Sequence, residues 1–95
     1  NFPKRFYLYQ NYPNPFNPLT TLRYDLPSEL PVSGIIFDMM GKQILELEEK
    51  TQSAGTKFYQ WNGSDINGKQ VCSGIYFFQI KAGNNTEVVK MILLK

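Results

Sequence analysis

The sequence predicts an all-β fold, an immunoglobulin-like antiparallel β-sandwich of seven or eight strands. Three observations carry this expectation. Apolar and polar residues alternate in short runs, and no helical periodicity holds for as much as about ten residues. Turn signals punctuate the chain about every 8–12 residues. No segment can supply the crossover helix that a parallel sheet needs. A small barrel is the alternative closure.

The elements follow in order. In Thr20 to Leu26, Leu22, Tyr24 and Leu26 share one face and polar residues take the other, the mark of a half-buried strand. Pro27 ends it, and Pro31 is expected to keep Ser28 to Leu30 out of the next ladder. Val32 to Met39 is the next strand, centred on Ile35, Ile36 and Phe37. Met40-Gly41 turns the chain, since Gly41 takes positive φ without steric cost. Lys42 to Leu47 returns, with Ile44 and Leu47 as core contacts at an odd spacing that implies a bulge or an edge. Glutamates favour a helix over Ile44 to Gln52, but the apolar stripe is too short to dock one, and strand is the reading. Ala54-Gly55 opens a strand over Thr56 to Trp61, with Tyr59 and Trp61 on one face. A turn-rich loop follows, carrying Asn62-Gly63 and Asn67-Gly68. Lys69 to Val71 is a short strand and Gly74 to Ala82 a clear one, with Tyr76, Phe78 and Ile80 on one face. Gly83 to Asn85 turns the chain, and Thr86 to Leu94 pairs back. Apolar residues on both faces of Lys90 to Lys95 suit an interior strand.

Size and composition bound the function. Ninety-five residues allow one domain. Roughly 16,000 Å² of unfolded surface should shrink to roughly 5,600 Å². There is no histidine and one cysteine, which excludes a Ser-His-Asp triad, a Cys-His dyad, a histidine metal site and an internal disulfide. The chain is read as non-enzymatic, with no cofactor. Ten Lys and Arg against eight Asp and Glu give +2, without a basic block that would track nucleic acid. No apolar run approaches the roughly 18–20 residues of a membrane span, and the first residues lack a signal-peptide core. The chain does not start with Met and reads as a piece of something longer, with Lys95 a natural end. No feature calls for an oligomer, and a monomer is expected.

Several motifs have a bland and a functional reading. Asn11 to Pro18 holds three prolines, at 13, 15 and 18, so it can be neither helix nor central strand. It should lie as a stiff PPII-like or turn segment along a sheet edge, anchored by Tyr12 and Phe16. A proline-rich ligand for a partner's aromatic groove is the other reading. Asp65 to Gly68 lacks the further ligands of a calcium loop, and Asp65 caps a turn instead. Asn62-Gly63-Ser64 and Asn84-Asn85-Thr86 fit a glycosylation pattern but read as turns. Glu46 and Glu48 form a possible carboxylate pair, without a cleft for glycosidic chemistry. Cys72 is a small packed side chain or a rim thiol. Tyr7, Tyr9 and Phe58 could stack on sugar rings if they form a row on an open sheet face. Without a disulfide, Trp61, Tyr76 and Phe78 must join the two sheets by aromatic packing.

Taken together, three groups of segments resemble a known family. The first runs from Leu8 to Pro18 and from Thr21 to Pro27. The second comprises Ile36 to Ile44, Ala54-Gly55-Thr56, Trp61 to Asp65 and Gly68. The third comprises Ser73 to Phe78 and Lys90 to Lys95. In order and spacing they resemble the C-terminal sorting domains of the type IX secretion system, type A. These are similar in turn to the immunoglobulin-like domain of flagellar hook-capping proteins. The resemblance implies residues 1–7 as linker or lead-in and 8–95 as sorting domain. It implies partners: an N-terminal cargo, an outer-membrane translocon and a surface sortase. The resemblance further implies that the sortase removes the domain and links the cargo to anionic lipopolysaccharide. It implies a secreted or cell-surface protein of a Gram-negative bacterium, exported through periplasm and outer membrane. Pro13, Asn14, Pro15 and Phe16 occupy the family's opening motif, Gly74 and Tyr76 its glycine-tyrosine motif, and Lys90 to Lys95 its terminal motif. Leu19, Gly34 and Cys72 depart from the family pattern, and Gly34 implies a weak or bulged strand.

Overall fold

The computed structural model describes residues 2–95. Among them seven strands form and no helix: β1 (Tyr7–Leu8), β2 (Thr20–Leu26), β3 (Leu30–Asp38), β4 (Gln43–Gln52), β5 (Gly55–Trp61), β6 (Gly74–Ala82) and β7 (Asn85–Leu93). They build two antiparallel sheets, one ordered β1-β2-β5 and the other β4-β3-β6-β7. Alternation decides which face of each strand turns inward. Leu22, Tyr24 and Leu26 of β2 meet Val32 and Ile36 of β3 and Tyr76, Phe78 and Ile80 of β6 in one core. Tyr59 packs against this core, and Trp61 lies within it, on the same face of β5. The accessible surface is 6038 Å², close to the scaling expectation.

β4 confirms strand over helix. It is an edge, and it is bulged as well. Two register shifts against β3, between Val32 and Gly34 and between Ile36 and Phe37, account for the uneven spacing of Ile44, Leu45 and Leu47. The first shift lies at Gly34. A Cβ there would meet a ring carbon of Phe78 at 3.0 Å and the Gln79 carbonyl at 3.3 Å. Phe78 fills the space that a larger residue would take. Glu46 and Glu48 remain exposed on this edge and line separate grooves. The Met40-Gly41 turn forms as expected: Asp38 Oδ1 accepts from the amides of Met40 and Lys42, and Gly41 has φ +83°.

Three local expectations are corrected. Leu30 and Pro31 begin β3 rather than preceding it. The β6 ladder stops at Val32, so the missing Pro31 N–H is not needed, while the Pro31 carbonyl accepts from Gly83 at 3.1 Å. Lys69 to Val71 is no strand; it contributes one bridge, Ser64 to Gln70. β7 is the edge of its sheet rather than an interior strand. Its Met91 and Leu93 are buried and Ile92 is half-buried, while Leu94, just beyond it, is exposed. What covers its free edge is the proline-rich segment.

Candidate functional site

The opening and terminal motifs meet along β7. All three X–Pro bonds of the segment, at Pro13, Pro15 and Pro18, are cis. The Phe16 amide donates to the Ile92 carbonyl at 2.9 Å, and the Leu94 amide donates to the Phe16 carbonyl at 3.0 Å. Asn14 Oδ1 accepts from the Ile92 amide at 2.9 Å, so its side chain completes what a neighbouring strand would otherwise supply. Gln10 Nε2 donates to the Lys90 carbonyl at 2.7 Å. Three residues that are no regular strand, Gln10, Asn14 and Phe16, thereby make four hydrogen bonds to the exposed edge from Lys90 to Leu94, one way to blunt a sheet edge.

Phe16 anchors the segment as expected, at 2% exposure. Tyr12 does not: it is 81% exposed. Asn11 takes the inward position instead and is fully enclosed. Its Nδ2 donates to Thr20 Oγ1 at 2.9 Å and to the Pro13 carbonyl at 3.2 Å, and Thr20 Oγ1 donates to the same carbonyl at 2.8 Å. A buried amide is tolerated because its partners are in place. Asn11→Ala removes the two bonds donated by Asn11, leaving only the one from Thr20 to Pro13, and should cost about 1–3 kcal/mol in urea denaturation. Unchanged stability would show that the network adds nothing.

Beneath the segment lies an aromatic column. The Phe16 and Trp61 rings are 5.6 Å apart, and Trp61 meets Tyr76 edge-on at 5.5 Å. The opening motif, β5 and β6 are thus joined through one indole, which replaces the absent disulfide as the contact between sheets. Trp61 Nε1 donates to the Ser64 carbonyl at 2.9 Å, tying down the loop after β5. Asp65 Oδ1 in that loop accepts from the amides of Asn67 and Lys69, the capping role expected of it. Tyr76 Oη donates to the Cys72 carbonyl four residues back, at 2.6 Å. This matches the tyrosine corner of immunoglobulin folds. Burial, with Cys72 and Asp38 nearby, raises the pKa of the Tyr76 phenol above its ordinary value.

The remaining motif residues surround this column. Gly74 opens β6 opposite Leu93, with open space where a Cβ would stand. Lys90 and Lys95 are exposed, and the Lys95 amide is fixed by Ser73 Oγ at 3.0 Å. Cys72 is an exposed rim thiol rather than a packed one. Pro13, Asn14, Pro15, Phe16, Tyr76 and Lys90 to Lys95, spread over most of the sequence, therefore form one continuous end of the sandwich.

A model of secretion system C-terminal sorting domains matches residues 10–94. The chain belongs to that family. The resemblance drawn from its motifs and the family match agree over residues 10–94. No curated protein sequence matches it. Among solved structures, dimeric latent PorU of Porphyromonas gingivalis superposes with TM-score 0.72 at 18% identity, over 95% of this chain and 9% of PorU. PorZ of the same organism, described as an essential surface component of the type IX secretion system, gives 0.60 at 20% identity over 95% and 11%. FlgD of P. aeruginosa gives 0.61 at 22% identity over 78% and 60%. These likenesses show the fold. The chain spans about a tenth of the length of PorU and of PorZ.

Proposed function

We propose that residues 8–95 direct a larger N-terminal cargo through a type IX outer-membrane translocon, for release or surface attachment, with residues 1–7 as the lead-in from the cargo. Recognition rather than catalysis is the mechanism. The supporting observation is that the opening and terminal motifs are hydrogen-bonded to each other, so a receptor meets them as one surface. Pro13, Asn14, Pro15 and Phe16 shape that surface. Gly74 and Tyr76 support it, and the exposed Lys90 and Lys95 side chains present charge to the translocon or sortase.

The test fuses residues 1–95 to a reporter in a host with this secretion system. The fusion should be exported. Deletion of Lys90 to Lys95 should abolish export, but it also removes buried Met91 and Leu93. A second variant, Lys90→Ala with Lys95→Ala, changes exposed side chains alone. It should keep the melting temperature of the parent while export falls to background. Normal export of the deletion variant sinks the reading.

A further inference from the structure

The outer face of the three-stranded sheet carries aromatic rings that the sorting role leaves unused. Register places Tyr9, which follows β1, in one row with Arg23 of β2 and Phe58 of β5: the Tyr9 amide donates to the Arg23 carbonyl, and Arg23 lies opposite Phe58. Tyr12 lies opposite Thr21 in the next row. Phe58 is 65% exposed, and Tyr12 is more exposed still. An open groove of about 310 Å³ runs between them over Thr21 and Arg23. A second groove, of about 390 Å³, continues past Tyr9 towards Lys4 and Arg5.

The centre of this face is preorganised. Arg23 lies over the Tyr9 ring, its guanidinium carbon 4.0 Å from the centroid. Tyr9 Oη in turn donates to Asp25 Oδ2 at 2.6 Å, and Thr56 donates to Asp25 Oδ1 at 2.8 Å. Both oxygens of the one acidic group here are therefore occupied by neutral hydroxyls. The hydrogen bond of Arg23 among the described residues is a long one, 3.4 Å, to Tyr9 Oη. Its donor edge stays available to a ligand.

We propose that this face binds an acidic saccharide chain. Exposed rings offer flat apolar surfaces to the C–H faces of sugar rings. Thr21 and Gln60, on outward positions beside them, offer a hydroxyl and an amide to ring hydroxyls. Arg23, with Lys4 and Arg5 along the second groove, selects for carboxylates. Two grooves meeting at Tyr9 favour an extended chain over a single sugar. A peptide strand would need a free ladder or side-chain pockets, and a sheet face offers neither.

The probe is oligogalacturonate, titrated by calorimetry and amide NMR into the 95-residue chain. Maltohexaose serves as neutral control and polyglutamate as acidic peptide control. Saturable binding is expected for oligogalacturonate, with shifts at Thr21, Arg23 and Phe58. Phe58→Ala and Arg23→Gln should each raise Kd by about tenfold. Both side chains are exposed, so neither variant should change the melting temperature. Val88→Ser, on the outer face of the other sheet, should leave Kd unchanged. Four results would overturn the proposal: no saturable binding; preference for maltohexaose; equal binding of polyglutamate; or affinity untouched by both sheet-face variants. None of them bears on export.

Discussion

Trp61→Ala should leave this domain barely folded. Trp61 is 1% exposed and touches Phe16 on one side and Tyr76 on the other. Truncation of a buried Trp or Phe to Ala costs about 3–5 kcal/mol, from lost transfer energy and the cavity left behind. A domain of this size has a total stability of about 5–14 kcal/mol. The melting temperature should fall by about 12–40 °C. The indole N–H that holds the Ser64 carbonyl goes too, so the loop after β5 should loosen with the core. Calorimetry and urea denaturation measure the loss. A drop below about 1 kcal/mol would mean that the two sheets are held together elsewhere.

Phe16→Ala should have an effect of the same order, about 3–5 kcal/mol, but a different signature. Phe16 is the side chain that pins the proline-rich segment to the core, while its backbone pairs with β7. Loss of the ring should free the segment before the sandwich unfolds. The amides of Phe16, Ile92 and Leu94 should then exchange much faster with solvent than those of β3 and β6. An uncovered β7 edge should also promote association at high protein concentration. Uniform acceleration of exchange across all strands would contradict this picture of the segment as a separable cover. The Trp61 and Phe16 rings are in contact, so the double variant should lose less than the sum of the two.

The legible parts of the fold were those that alternation alone determines. Strands β2 and β6 fall where the period-two pattern of Leu22-Tyr24-Leu26 and Tyr76-Phe78-Ile80 places them. The joining role of Trp61 and Tyr76 also followed, since no disulfide was available. Register across strands was not legible, and it decides what alternation cannot. Tyr12 is the more apolar neighbour and was the expected anchor. Its bridge to Thr21, an outward position, fixes its parity and sends Asn11 inward beside Thr20. The place of β7 was hidden for a related reason. Its apolar residues suggested two neighbouring strands, whereas one neighbour is a segment of irregular structure held through Asn14 and Phe16. Of the motif residues, their grouping at one end of the sandwich emerges from the topology. The row of Tyr9, Arg23 and Phe58 needed the β1-β2-β5 order before it could be drawn.

The clasp between Asn14 and Ile92 joins residues 78 positions apart. Pairings of such long range form late, after their loop-closure entropy has been met by other contacts. On a ribosome, the first-made half of this clasp waits with its apolar side uncovered until the last strand has emerged. A variant truncated before Ile92 lacks the backbone groups that Asn14 and Phe16 hold. The clasped end of the sandwich therefore exists only once residues from the two ends of the fold have met.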